Sequence, residues 1–197
     1  MRHSTKATPL KVIATMGLLS LLAACRANHP PITTATHVDL QKFMGDWFVI
    51  ANIPTSIERD AHNAIESYRL DPDSSIPTTF TFRDGAFDAQ VKGYCPRGFV
   101  RDRGSNAVWD MQFIWPIKAD YRIVYVSPDY RLTIIGREKR DNVWVMARTS
   151  QIDAADLADL RARVASEDYD MAKFNLVPQQ WPEPVGAPPR SAARECS

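Results

Sequence analysis

Residues 78–91 read Thr-Thr-Phe-Thr-Phe-Arg-Asp-Gly-Ala-Phe-Asp-Ala-Gln-Val. Phe80 and Phe82 alternate with Thr up to Asp84-Gly85, and Phe87, Ala89 and Val91 then alternate with polar residues. Period-2 patterning on both sides of Asp-Gly predicts two antiparallel strands joined by a hairpin, since a type I′ turn needs positive φ. The pattern returns at Val108–Trp115, where Trp109, Met111, Phe113 and Trp115 alternate with Asp110 and Gln112 until Pro116 stops the run. Working outward, further strands are predicted at 47–53, 61–70, 121–126, 132–136 and 143–147. Eight strands at short spacing point to an antiparallel barrel or sandwich. After Thr149 the period changes. Leu157, Leu160 and Val164 fall on one face of a helix over about 153–166, with Asp156 in its first turn and Arg163 toward its end, as the macrodipole prefers. One helix after eight strands is best used outside the barrel, covering an apolar face.

The chain has 197 residues, 45% hydrophobic and 24% charged, which suits one folded domain. With 24 Lys+Arg against 23 Asp+Glu there is no basic excess to bind a nucleic-acid backbone. No zinc-type Cys or His spacing, EF-hand loop, Walker loop or Gly-x-Ser-x-Gly elbow occurs, so no metal, cofactor or catalytic set is expected.

The ends read differently from the body. Arg2, Lys6 and Lys11 precede an apolar run from Val12 to Ala24, and Leu22-Ala23-Ala24-Cys25 closes it. That is a signal peptide over 1–24, and a Cys just after the cut resembles the bacterial lipobox, which implies a lipidated Cys25. The alternative is ordinary secretion with a stray Cys. Residues 25–37 read as a tether, 38–180 as the folded domain and 181–197, with four Pro, as an extended tail. A Cys95–Cys196 disulfide would pin that tail and close a loop of about 100 residues, worth about 4–5 kcal/mol. Two free thiols, or an intermolecular bond through Cys196, are the alternatives.

Gly45-Asp46-Trp47, after a short helical turn and at the head of eight strands, resembles the Gly-x-Trp signature of lipocalins. Ser127-Pro128-Asp129-Tyr130 resembles the family's second block and Arg148 its third. The lipobox and Tyr169-Asp170-Met171-Ala172-Lys173-Phe174 narrow the likeness to the bacterial lipocalins, outer-membrane lipoproteins of the Blc type. The resemblance implies an up-and-down eight-stranded barrel with a C-terminal helix outside, and Arg148 lying over Trp47 at a closed end. It implies a ligand cavity, and a body Cys, here Cys95, bonded to the C-terminal segment. The family's first strand often carries a Glu after Trp-Tyr; Trp47-Phe48-Val49-Ile50 has none.

A closed eight-stranded barrel is just wide enough for one small ligand. Parity with Trp47 turns Val49 and Ala51 inward, and likewise Tyr121, Ile123 and Tyr125, Ile134, Trp144 and Met146. Apolarity adds Phe80, Phe82, Phe87, Trp109, Met111 and Phe113. Tyr121 and Tyr125 are the expected holders of a carboxylate or headgroup. The expected ligand is a fatty acid or lysophospholipid, bound by reversible burial at the periplasmic face of the outer membrane; a homodimer is left open. Two other readings stand: an envelope-interaction lipoprotein with a packed barrel, and an enzyme on the same fold using Cys95 as nucleophile.

Overall fold

The computed structural model describes residue 1 and residues 29–190. The signal-peptide and lipidation expectations, and Cys196, therefore lie outside the described residues. Helix α1 (Leu40–Phe43) is capped by Asp39, whose carboxylate accepts from the Gln41 and Lys42 amides. Strands β1 (Gly45–Ile53), β2 (Ala61–Tyr68), β3 (Ser75–Asp84), β4 (Val91–Tyr94), β5 (Arg97–Asp102), β6 (Val108–Ile114), β7 (Ile117–Val126), β8 (Leu132–Gly136) and β9 (Val143–Ala147) come next. Helix α2 (Ala154–Ser166), a single 3₁₀ turn (Met171–Lys173) and a short β10 (Asn175–Leu176) complete the order. Along the order β1-β2-β3-β5-β6-β7-β8-β9 each strand pairs with its neighbour, and β9 returns to β1 with Phe48 opposite Ala147, so the sheet is closed. The short pieces β4 and β5 pair with the upper and lower parts of β3 and together serve as one strand, giving eight around the barrel.

One local expectation is corrected, and the described parts of both end segments are bound to the barrel. The fourth strand does not begin at Phe87. Gly85 has φ of +86°, as the hairpin motif requires, but its amide donates to the Asp60 carbonyl, and pairing resumes only with Val91 opposite Arg83. A longer loop therefore replaces the two-residue turn, and Cys95-Pro96 then breaks the strand in two. Within the expected tether, 25–37, the described residues from Pro30 onward are held against the barrel, and Val38 at the start of the domain continues that contact. Ile32 and Val38 are buried, and the Ala35 and Val38 amides donate to the Ile123 and Ser105 carbonyls. The segment runs down the outside of the barrel from the β8–β9 turn to α1. The described part of the tail, residues 181–190, is tied to the barrel as well. The Arg83 guanidinium, fully buried, bonds both oxygens of Glu183 and the carbonyls of Ala89 and Pro188.

Two apolar clusters result. One fills the barrel, with Phe43, Trp47, Tyr68, Trp109 and Tyr121 in ring contact at its closed end. The other lies outside, where Leu160 and Val164 of α2 meet Ile53, Ile134 and Val145. Between the upper halves of β1 and β2 the wall is completed by β10 and the residues after it: Val177 donates to Ile50, and the Gln179 amide spans the Val49 and Ala64 carbonyls.

Candidate functional site: the mouth of the barrel

The closed end is a structural lock. Arg148 lies 3.7 Å from the Trp47 ring centre and donates to the carbonyls of Lys42, Phe43, Met44, Asp46 and Tyr130. Trp47 donates from Nε1 to the Phe43 carbonyl, and the Tyr130 hydroxyl accepts from the Asp39 amide. Gly45 holds φ of +95°, and a Cβ there would stand 3.4 Å from the Arg148 guanidinium. Asp129 accepts from Ser127 and Arg131, which hold its carboxyl down to about 2. None of these groups lines the cavity.

At the other end a cavity of about 90 Å³ opens to solvent. Its apolar wall is Ile57, Phe80, Met111, Phe113, Ala119 and Trp144; Thr55, Glu58, Glu66, Asp120, Tyr121 and Arg137 are its polar members. At roughly 10–15 Å³ per water, the enclosed part has room for a handful of waters or a few carbons of a chain. The aromatic packing of the closed end takes the rest of the barrel.

Five of the expected ligand contacts are on this wall: Phe80, Met111, Phe113, Tyr121 and Trp144. Val49, Phe82, Trp109, Ile123 and Met146 are inside the barrel and fully buried, packed against one another off the cavity wall. Four expectations are corrected. Ala51 and Tyr125 belong to the outer cluster, because a β-bulge after Val49 and another after Ile123 each reverse the parity of the strand residues beyond them. Tyr125 lies under Arg163 of α2, 4.1 Å from its guanidinium. Ile134 also faces α2, since in β8 it is Ile135 that points inward. Phe87 stands in the β3–β4 loop, edge-on to His62. The Cys95 nucleophile has no place in the site: Cys95 is exposed at the strand break, off the cavity wall.

Sequence reasoning missed the polar inner wall. Glu66 sits between Trp47 and Phe80 across the sheet. Burial, helped by the Glu58 charge, pushes its carboxyl up to about 8, although the Tyr68 and Tyr121 hydroxyls pull it partly back. Tyr121 donates to Glu66 and shares a short hydrogen bond with Tyr68. Both phenols are raised well above 10, first by burial. Glu58 is also raised by burial, opposed by hydrogen bonds from the Thr55 amide and the Trp144 indole. Burial thus favours the uncharged, hydrogen-bonding form of Glu66 on this polar part of the wall. Its signal was its spacing: two residues before Tyr68, it shares that residue's inward parity. Thr55, Ile57 and Glu58 lie on the β1–β2 loop, where no periodicity marks them. Among the described residues no group of His, Cys, Asp and Glu is placed to hold a metal ion.

A closed eight-stranded barrel with one end locked and an apolar cavity at the other is the architecture of a barrel-type binding protein for small molecules. A family model described as a lipocalin-like domain matches residues 38–179, and the chain belongs to that family. It is 25% identical over 158 residues to temperature-induced lipocalin-1 of Arabidopsis thaliana, covering 72% of this chain and 80% of the relative. To apolipoprotein D of Bos taurus it is 23% identical over 163 residues, covering 78% and 82%. Among solved structures, insecticyanin of the tobacco hornworm Manduca sexta superposes with a TM-score of 0.60 at 14% identity, covering 76% of this chain and 85% of that one. Lobster apocrustacyanin A1 does so at 0.58 and 11%, covering 80% and 94%. These structures share the fold.

Proposed function

We propose that this lipocalin binds the acyl chain of a fatty acid or lysophospholipid at the barrel mouth, as a lipoprotein of the bacterial outer membrane anchored through Cys25. Its role is then lipid storage, transport or membrane maintenance by reversible burial, without chemistry on the ligand. The observation that carries the reading is the cavity itself, walled by Phe80, Met111, Phe113 and Trp144 and continuous with the exposed rim. Each methylene removed from water contributes about 0.8 kcal/mol, so the few chain carbons that the cavity encloses gain a few kcal/mol. A neutral Glu66 lets that chain lie against the inner wall without stranding a charge. We further propose that Cys95 is bonded to Cys196, tying the C-terminus to the broken fourth strand.

The modest cavity volume favours a second reading, in which the barrel is essentially packed and the protein serves as an envelope-interaction lipoprotein. Native mass spectrometry of residues 26–197, purified from a bacterial periplasm, separates the two. A co-purifying mass that dissociates as fatty acid or lysophospholipid is the expected result. A bare protein mass, still bare after incubation with both lipids, transfers the case to the packed barrel.

A further inference from the structure

Of the eight exposed large hydrophobic residues described, five gather at the open end: Ile57, Phe113, Ile114, Trp115 and Ile117. Four of them form the tip of the β6–β7 hairpin, where Trp115 is 82% exposed and Ile114 and Ile117 each 71%. Scattered apolar residues on a surface need no explanation, but a contiguous patch does. Ile57 and Phe113 also belong to the cavity wall, so one apolar surface runs from inside the barrel out to the tip.

The path of the chain puts a second constraint on the same end. The Pro30 carbonyl accepts from Arg140 and the Ile32 amide donates to Glu138, both on the β8–β9 turn. That turn also carries Arg137 of the cavity wall. The backbone thus reaches the barrel beside its mouth, not at its locked end. From Pro30 back to Cys25 is five residues, at most about 18 Å fully extended.

From these two observations we propose that the β6–β7 tip inserts into the surface of a lipid bilayer, so that the mouth faces the membrane and a lipid reaches the cavity without crossing water. The proposal rests on the lipid-binding reading above. Trp is suited to this position, because its ring is apolar while its N–H takes a partner at the headgroup level. The contact is apolar in character. On the flanking strands, Arg101 is paired with Asp110 and Asp120, and Arg122 with Asp120 and Glu138, which leaves those charges satisfied within the protein. A tip of this kind binds zwitterionic lipid and responds weakly to salt.

The test uses residues 26–197, which contain the whole described barrel and no Cys25, with vesicles of phosphatidylcholine. The chain is expected to float with the vesicles at low and high salt alike. The triple variant Ile114→Ser, Trp115→Ser, Ile117→Ser is expected to lose at least about tenfold in vesicle affinity. None of these three residues lines the cavity, so uptake of a fluorescent fatty acid in vesicle-free solution should stay within about twofold of the parent. Absence of flotation overturns the proposal, as does flotation that the triple variant leaves unchanged. A dimer that the variant dissociates, with no effect on vesicles, assigns the tip to a second copy of the chain and overturns it too. Failure of fatty-acid uptake by the parent in solution is a separate outcome that sinks the cavity reading instead.

Discussion

At the scale of single residues, the two ends of the barrel respond to different substitutions. Arg148→Ala removes hydrogen bonds to five backbone carbonyls and the stacking on Trp47. It is expected to cost about 2–3 kcal/mol in denaturant unfolding while fatty-acid affinity changes little. At the mouth the balance reverses. Ala119 faces the cavity beside Met111, and Ala119→Trp fills the opening. Affinity for a fatty acid should fall at least about tenfold by fluorescence titration, with stability within about 1 kcal/mol of the parent. Unchanged affinity in the folded Trp variant would remove the cavity from the mechanism. The lock was legible in the sequence because its Gly, Trp and Arg stand at motif positions. The lining was legible only in part. Parity counted from Trp47 holds until a bulge intervenes, and a bulge leaves no mark in composition, so simple alternation puts Ala51 and Tyr125 on the wrong face.

At the scale of elements, the barrel strands and α2 are dictated by alternation and by the switch to helical period, but the segments outside them are not. Residues 30–38 and 175–190 carry no periodicity, yet both are bound to the barrel through backbone and side-chain hydrogen bonds that sequence pattern does not encode. The C-terminal segment has the clearer energetic consequence. Arg83 is fully buried on β3, and its partner Glu183 comes from the far end of the chain, with Arg190 also paired to that carboxylate. Removing one partner of a buried pair leaves an uncompensated charge, at a cost of about 3–5 kcal/mol. Glu183→Ala should therefore destabilise by about that amount in chemical denaturation, and truncation before Trp181 by at least as much. The double variant Arg83→Met, Glu183→Ala should recover much of the loss. If Glu183→Ala alone is silent, the segment is an appendage after all.

At the scale of the whole molecule, two carboxyls set opposite slopes on stability against pH. Glu183 is held down at about 2 by Arg83 and Arg190 even though partial burial works against it. An ordinary Glu titrates near 4.5, so the stabilisation from Glu183 is complete above that value and is lost as pH falls toward 2. Glu66 acts in the other sense. In the folded chain it keeps its proton up to about 8, whereas the unfolded chain releases it near 4.5. Between those values the folded state holds more protons, and stability falls as pH rises, by up to about 1.4 kcal/mol per unit. Glu58, also raised by burial, adds to that slope. Thermal unfolding should therefore peak near about pH 5 and decline on both sides. Glu66→Gln, which keeps the shape of the neutral acid, should flatten the alkaline limb and leave the acid limb intact; Glu183→Gln should weaken the acid limb and leave the alkaline one. Fatty-acid affinity should follow the same proton, dropping above about pH 8 as Glu66 ionises in the wall and remaining level in Glu66→Gln. An alkaline limb equally steep in Glu66→Gln would show that the inner wall carries no such proton, and the apolar chain would then need another account of how it lies against two carboxyls.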